Sequence, residues 1–251
     1  MAGRLGGNPA FIGKLGADSS GAALRSSLAS AGVDCKWLGT SSVGTGAAGI
    51  IVDDDGQNCI VVSAGSNGDL QPEDVAEAVA AIQPKVVLVQ FEIPSNAIWT
   101  CRGPWTLIVN PAPANPTDNA FWQGVAAVVP NETETAVFTG VTPTDAASCR
   151  EAARWFFDRG AERVIITLGE RGCVLLTKSE DRHMEPFPVK PIDTTAAGDA
   201  FCGTLAHYVA SGIDWVEAIR RANVAAALST TKRGAQSSMP SKDEVERAAG
   251  V

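Results

Sequence analysis

The feature that most constrains this chain is the alternation of short, β-branched apolar runs with stretches of helical pattern. Lys85 to Phe91 (KVVLVQF), Leu107-Ile108-Val109, Ala127-Val128-Val129 and Arg163 to Leu168 (RVIITL) read as strands without a polar face, as expected of strands buried on both sides. Around them lie helical stretches: Gly21 to Ala31, stopped by Gly32; Asp74 to Ile82; Pro143 to Arg159; Ala200 to Ala210, stopped at Gly212; and Trp215 to Ser229. Thr142 is placed to cap the Pro143 helix, with Pro143 at its first position and Asp145 three residues after the cap. This alternation predicts an α/β fold with a largely parallel sheet and helices on both faces.

Smaller pieces complete the reading. Ala10 to Gly13 and Cys173 to Thr177 are strand-like, and Gly49 to Val52 and Cys59 to Ser63 flank Asp53-Asp54-Asp55-Gly56, whose D-G step signals a hairpin turn. With no internal repeat, low-complexity segment or linker, residues 1–251 are expected to form a single domain. A chain of 251 residues with 45% hydrophobic and 19% charged composition can bury a sizeable core. Its 28 acidic and 20 basic side chains, net −8, argue against a nucleic-acid partner but not against a small phosphate compound.

Cys35, Cys59, Cys101, Cys149, Cys173 and Cys202 are spread along the chain without C-x-x-C spacing, so reduced thiols are expected rather than a zinc site or a disulfide framework. Two histidines are too few for most histidine-based metal sites. No apolar run has the length of a membrane span, and MAGRLGGNPAF lacks the apolar region of a signal peptide. The expectation is a soluble, cytoplasmic protein.

Several motifs carry less than they suggest. Gly44 to Gly49 matches G-x-G-x-x-G, but strand-like residues and a turn follow it where a dinucleotide site needs a helix. Asn131-Glu132-Thr133 is a glycosylation sequon with no secretory signal to make it meaningful. Asp53-Asp54-Asp55 lacks the later glutamate of a calcium loop. No Walker-type phosphate loop and no G-x-S-x-G nucleophile motif occurs.

The informative stretch is Pro191 to Phe201 (PIDTTAAGDAF). Ala196, Ala197 and Gly198 lead into a helix whose first turn carries Asp199. Free N–H groups at a helix start, uncovered by large side chains, form an anion cradle. A carboxylate beside it suits phosphoryl transfer, accepting a proton from an attacking hydroxyl. The same spacing equally describes an aspartate that only stabilises the helix dipole.

In company with other segments, D-T-T-A-A-G-D-A-F resembles the signature of the ribokinase-like carbohydrate kinases. Val129-Pro130-Asn131-Glu132-Thr133-Glu134 is similar to that family's N-x-x-E motif, and Thr167 to Gly172 (TLGERG) to its nucleotide loop. Asn110 to Ala114 (NPAPA) and Lys232 to Pro240 (KRGAQSSMP) resemble the ribose-phosphorylating branch. These motifs follow one another in the family's order from about residue 4 to the C-terminus.

The resemblance implies a three-layer α/β/α fold and ATP-dependent phosphorylation of D-ribose to ribose 5-phosphate, with Asp199 as the base. Ala196, Ala197 and Gly198 would form the anion hole with Asp199, and Asn131, Thr167, Leu168, Gly169, Glu170, Arg171, Gly172 and Asn223 would line the ATP site. Asn223 stands where such enzymes often carry histidine. Glu134 would hold magnesium through water, and Glu92 would contact the sugar with Asp199. Potassium would be held by Asp193, the Thr195 carbonyl, and groups of Ser229, Lys232, Gly234 and Ser238; one carboxylate among neutral oxygens suits a large monovalent cation.

Met1 to Gly7 aligns within the helix that follows a sugar-binding G-G-K-G-A-N segment in the family. The first strand with its sugar-gripping aspartate, much of the β lid and most sugar contacts are therefore expected to be missing, and with the lid the usual homodimer surface. Another sugar or nucleoside kinase, or a non-catalytic nucleotide- or sugar-binding derivative, are the alternatives this leaves.

Overall fold

The computed structural model describes residues 1–52, 58–115 and 118–251. In chain order they form β1 (Gly13–Gly16), α1 (Ser19–Ser30), β2 (Leu38–Ser41), β3 (Ala47–Val52), β4 (Asn58–Ser63), α2 (Pro72–Ile82), β5 (Val86–Val89), α3 (Ser95–Thr100), β6 (Thr106–Val109), β7 (Ala127–Val128), α4 (Glu132–Thr139), α5 (Ala146–Phe157), β8 (Arg163–Thr167), β9 (Cys173–Thr177), β10 (Asp181–Met184), α6 (Ala197–Ala210), α7 (Trp215–Ser229) and α8 (Lys242–Ala249). These divide into two compact units: Met1–Gly7, Pro84–Phe91 and Arg102–Val251 in the first, Asn8–Gln83 and Glu92–Cys101 in the second.

The first unit is built on a six-stranded sheet in the order β10-β9-β8-β7-β6-β5. β5 to β8 run parallel, while β9 and β10 are antiparallel additions at one edge. Alternate strand residues face opposite ways, and in β6, β7, β8 and β9 both sets are buried, whereas β5 is half-buried except at Val89 and β10 is largely exposed. Ile108, Ala127, Val129, Ile165, Cys173 and Leu175 join a core with Phe201 and Leu205 of α6, Ile219 and Ala222 of α7 and Val245 of α8. On the other face lie Leu107, Val109, Val128, Val164, Ile166, Val174 and Leu176, all buried, with α4 and α5 packed against β8. This is the expected three-layer α/β/α arrangement. Among the described residues no helix is long and apolar enough to cross a membrane.

An aromatic cluster organises the α5 side. Trp122, with no exposed surface, has ring-centroid distances of 5.4 Å to Phe121, 5.5 Å to Phe138 and 5.1 Å to Phe156, all near-perpendicular. Edge-to-face pairs of this kind add to the area they bury.

In the second unit β1 pairs with β2 in parallel, and β3 pairs with β4 antiparallel. Gly44 and Gly46 thus lead into a hairpin strand, as read from sequence; the Asp53–Gly56 turn lies outside the described residues. Asp18 knots this unit: its carboxylate accepts from Gly21 N at 2.8 Å, capping α1, and from Thr45 N and Thr45 Oγ1, both at 2.7 Å. A Cβ on Gly16 would stand 2.3 Å from Thr45 N, so glycine is required where those backbones meet.

Several boundaries differ from the sequence reading. The strand read at Ala10–Gly13 is Gly13–Gly16, with Ala10 making only an isolated bridge to Asp34; two glycines disguised it, since glycine weakens strand preference. The helix read as Pro143–Arg159 is Ala146–Phe157, and its cap is Asp145 rather than Thr142. Asp145 Oδ1 accepts from Ser148 N at 2.8 Å while Ser148 Oγ accepts from Asp145 N at 3.0 Å. The carbonyls of Pro143 and Thr144 are held instead by the Arg171 guanidinium. α6 starts at Ala197 rather than Ala200, whereas α7 matches its reading. β2, α3, α4, β10 and α8 are further elements that the sequence reading did not include.

Truncating Trp122 to alanine should destabilise the protein by about 3–5 kcal/mol, because five neighbouring rings cannot collapse into the space left. Urea denaturation of Trp122→Ala beside the parent chain measures this; a loss below about 1 kcal/mol would show that the cluster relaxes.

Candidate active site

The start of α6 is the centre of the site. Ala196 precedes the helix with φ 61°, a left-handed conformation that turns the incoming chain sharply into it. No side chain caps this helix, because Ala196 has none that can accept. Ala197 N donates to Thr194 O at 3.2 Å and Ala200 N to Ala196 O at 2.9 Å. Between them, the N–H groups of Gly198 and Asp199 have no protein acceptor among the described residues. A Cβ built on Gly198 would meet nothing within 4 Å, and Gly198 and Asp199 are both exposed, so the start of the helix is open. Two uncapped N–H groups facing open space, at the positive end of a fourteen-residue helix, suit an anion.

Asp199 stands beside them. The residue is exposed, yet partial burial of its carboxyl raises its pKa above the usual aspartate value, against the charge of the Met1 ammonium group. Glu134 is buried, and burial raises its pKa in the same sense, against the hydrogen bond from Asn131 N. Cys202, on the next turn after Asp199, feels both carboxylates: after burial, their charges are what raise its thiol pKa. The N-x-x-E segment and the start of α6 therefore share one neighbourhood.

Asn131 and Glu134 form the capping box of α4. Asn131 N donates to Glu134 Oε2 at 2.9 Å, Asn131 Nδ2 to Oε1 at 2.9 Å, and Glu134 N to Asn131 Oδ1 at 2.8 Å. The Thr167–Gly172 loop begins alongside: Thr167 N donates to Pro130 O at 3.0 Å, and Asn131 bridges Thr167. Leu168 N donates to Gly172 O at 2.8 Å, folding Gly169, Glu170 and Arg171 into one tight turn. Glycine is obligatory at Gly172, where φ is 78° and a Cβ would lie 2.2 Å from Met184 O. Arg171 ties the loop to α4 and α5 through Glu132 and the Pro143 and Thr144 carbonyls, so its guanidinium is engaged by protein. The reading from sequence missed this tie; a glutamate directly after the Asn131 cap was its only signal. Asn223 Nδ2 lies 3.5 Å from Glu185 O and beside the Cys173 thiol.

A second cluster lies next to the anion cradle. Asp193 accepts from Thr195 N and Gly234 N, each at 2.9 Å, which with the Thr195 hydroxyl and Arg233 holds its pKa down to about 2. Ile192 N and Asp193 N both donate to Thr230 O, at 2.7 and 3.1 Å, joining this loop to the end of α7. Ser229 and Ser238 are buried, their hydroxyls donating to Ala226 O and Ala235 O, and Lys232 Nζ pairs with Glu244 at 2.8 Å. One fixed carboxylate among neutral oxygens fits a monovalent cation better than a divalent one. Glu92 is exposed and belongs to the second unit.

This geometry agrees with what comparison finds. Residues 1–242 match the pfkB family of carbohydrate kinases. The chain belongs to that family. It is 37% identical to the ribokinase of Haemophilus influenzae, over 97% of this chain and 82% of that protein. The crystal structure of Thermotoga maritima ribokinase superposes with TM-score 0.89 at 32% identity, covering all of this chain and 84% of the other. An Arabidopsis thaliana ribokinase complexed with ribose and ATP gives the same TM-score, 0.89, at 26% identity, with 100% and 84% covered. Each pfkB-type motif read from sequence thus sits in a chain of the matching fold.

Gly198→Val tests the cradle directly. Its side chain would project into open space, so the melting temperature should stay near that of the parent chain, while phosphoryl transfer falls by about a hundredfold or more. A folded variant with undiminished turnover would remove these amides from the reaction.

Proposed function

We propose that this carbohydrate kinase transfers the terminal phosphoryl group of ATP to the 5-hydroxyl of D-ribose, with the whole chain acting as one kinase domain. The observation that carries this reading is the pairing of Asp199 with two uncapped N–H groups in the first turn of α6. Charge on the transferred group needs fixed donors, and the attacking hydroxyl needs a proton acceptor within reach. The relatives named above, among them one complexed with ribose and ATP, supply the substrate class.

In this reading Asp199 takes the proton of the sugar hydroxyl as the oxygen attacks in line. Its raised pKa makes it a better base than an ordinary aspartate, at the cost of being protonated sooner in acid. The amides of Gly198 and Asp199 hold the phosphoryl oxygens, requiring no rearrangement as charge builds. Asn131, Asn223 and the 167–172 loop embrace the nucleotide, Arg171 by fixing the loop to Glu132. Glu134 would hold magnesium through water; the metal would supply neutralising charge on the nucleotide phosphates. Asp193, the Thr195 carbonyl and groups of Ser229, Lys232, Gly234 and Ser238 would hold potassium, which would supply positive charge beside the cradle. Glu92 is assigned to the sugar.

Asp199→Asn keeps shape but cannot accept the proton, so kcat should fall by about a hundredfold to ten-thousandfold while ATP still binds in calorimetry. The parent enzyme's acid limb in kcat/KM against pH should lie above the ordinary aspartate range near 3.9, since the carboxyl must be ionised to act. A panel of ribose, 2-deoxyribose, fructose and adenosine separates the ribose reading from its rivals; turnover of adenosine alone would refute it.

Potassium should raise the rate and sodium should do so poorly, because Asp193 joins the 191–195 loop to Gly234 beside the cradle. Equal rates in potassium, sodium and tetramethylammonium would show that no cation acts there.

A further inference from the structure

A proline interrupts the sheet next to the N-x-x-E segment, and a side chain makes good the interruption. β6 and β7 pair Val109 with Val128, and Val129 N donates to Val109 O at 2.8 Å. The next rung of a parallel ladder joins the N–H of residue 111 to the carbonyl of residue 129. Residue 111 is proline and has no N–H to give. In its place Asn110 Nδ2 donates to Val129 O at 2.9 Å.

The carbonyl so held lies two residues before Asn131. The one between, Pro130 O, accepts from Thr167 N at 3.0 Å. The backbone entering α4 is thus gripped from the β6 side by Asn110 and from the β8 side by Thr167. Beyond it, Asn131 and Glu134 bind each other through three hydrogen bonds of 2.8–2.9 Å. Neither side chain can swing alone, so their direction is set by the backbone from 129 to 131.

We infer that Asn110 is a positioning residue for the nucleotide side of the reaction: its amide replaces the N–H that Pro111 lacks and thereby aims the Asn131–Glu134 pair. The inference rests on the proposed roles of Asn131 and Glu134 with ATP and magnesium. Asn110 itself touches neither substrate in this account. A purely structural asparagine would weaken the fold and depress everything together, whereas a positioning one affects ATP and magnesium selectively.

Asn110→Asp, nearly isosteric, replaces the donor with a carboxylate facing Val129 O; Asn110→Ala removes the group without adding charge. For both, KM for ATP, the magnesium concentration at half-maximal rate, KM for ribose and the melting temperature should be measured, with ATP binding followed by calorimetry without sugar. ATP affinity and the magnesium requirement should worsen by roughly tenfold, as for other supporting hydrogen bonds behind a binding group, while KM for ribose holds. Equal losses for ATP and ribose, or a lower melting temperature with unchanged ATP and magnesium constants, would overturn the inference. Asn131→Ala, assayed in parallel, separates the two readings. If it weakens ATP binding and the Asn110 variants do not, the positioning role fails. If Asn131→Ala itself leaves ATP binding intact, the nucleotide-site reading fails and takes this inference with it.

Discussion

Burial of both faces of the parallel strands β6, β7 and β8 is the constraint on which the rest of the first unit depends. A sheet covered on each side needs apolar residues at successive positions, and Leu107-Ile108-Val109 and Val164-Ile165-Ile166 provide them. Parallel strands so enclosed end along one common edge, and chemistry gathers in the loops beyond it. Asn110 follows β6, Asn131 follows β7 and Thr167 ends β8. Hydrogen bonds from Asn110 to Val129 O and from Thr167 to Pro130 O then connect these three strand ends. Hydrophobic burial thus brings together polar groups that lie dozens of residues apart in the chain.

The electrostatics at that edge separate two aspartates six positions apart. Asp199 is raised by burial, while Asp193 is held down to about 2 by donors from Gly234 and Thr195. A carboxylate already receiving several N–H groups is a weak base and a good fixed negative charge; one pushed upward by burial is a better proton acceptor. Their opposite environments support the division of labour proposed for them, one anchoring a cation and the other receiving a proton.

Much of this was legible before any coordinates. The buried strands announced themselves by composition, α7 by its periodicity, and the anion cradle by three small residues ahead of an acidic one. At two of the misread boundaries, partners distant in sequence decide the local structure. Thr142-Pro143 carries a helix-start pattern, yet the Arg171 guanidinium claims the Pro143 and Thr144 carbonyls and the helix begins at the next good cap, Asp145. Gly13 and Gly16 argue against a strand until the Asp18–Thr45 knot requires a residue without a side chain at Gly16.

The sequence by itself determined the fold class, the order of the motifs and the identity of the groups able to do chemistry, because burial pattern and residue type are local properties. Tertiary structure alone decided that Ala196 turns into α6 with no cap, that Glu134 and Asp199 act on a common neighbour in Cys202, and that Asn110 replaces a missing rung at Pro111. Those are questions of which donor meets which acceptor. They are settled only once burial of the sheet has fixed where each strand ends.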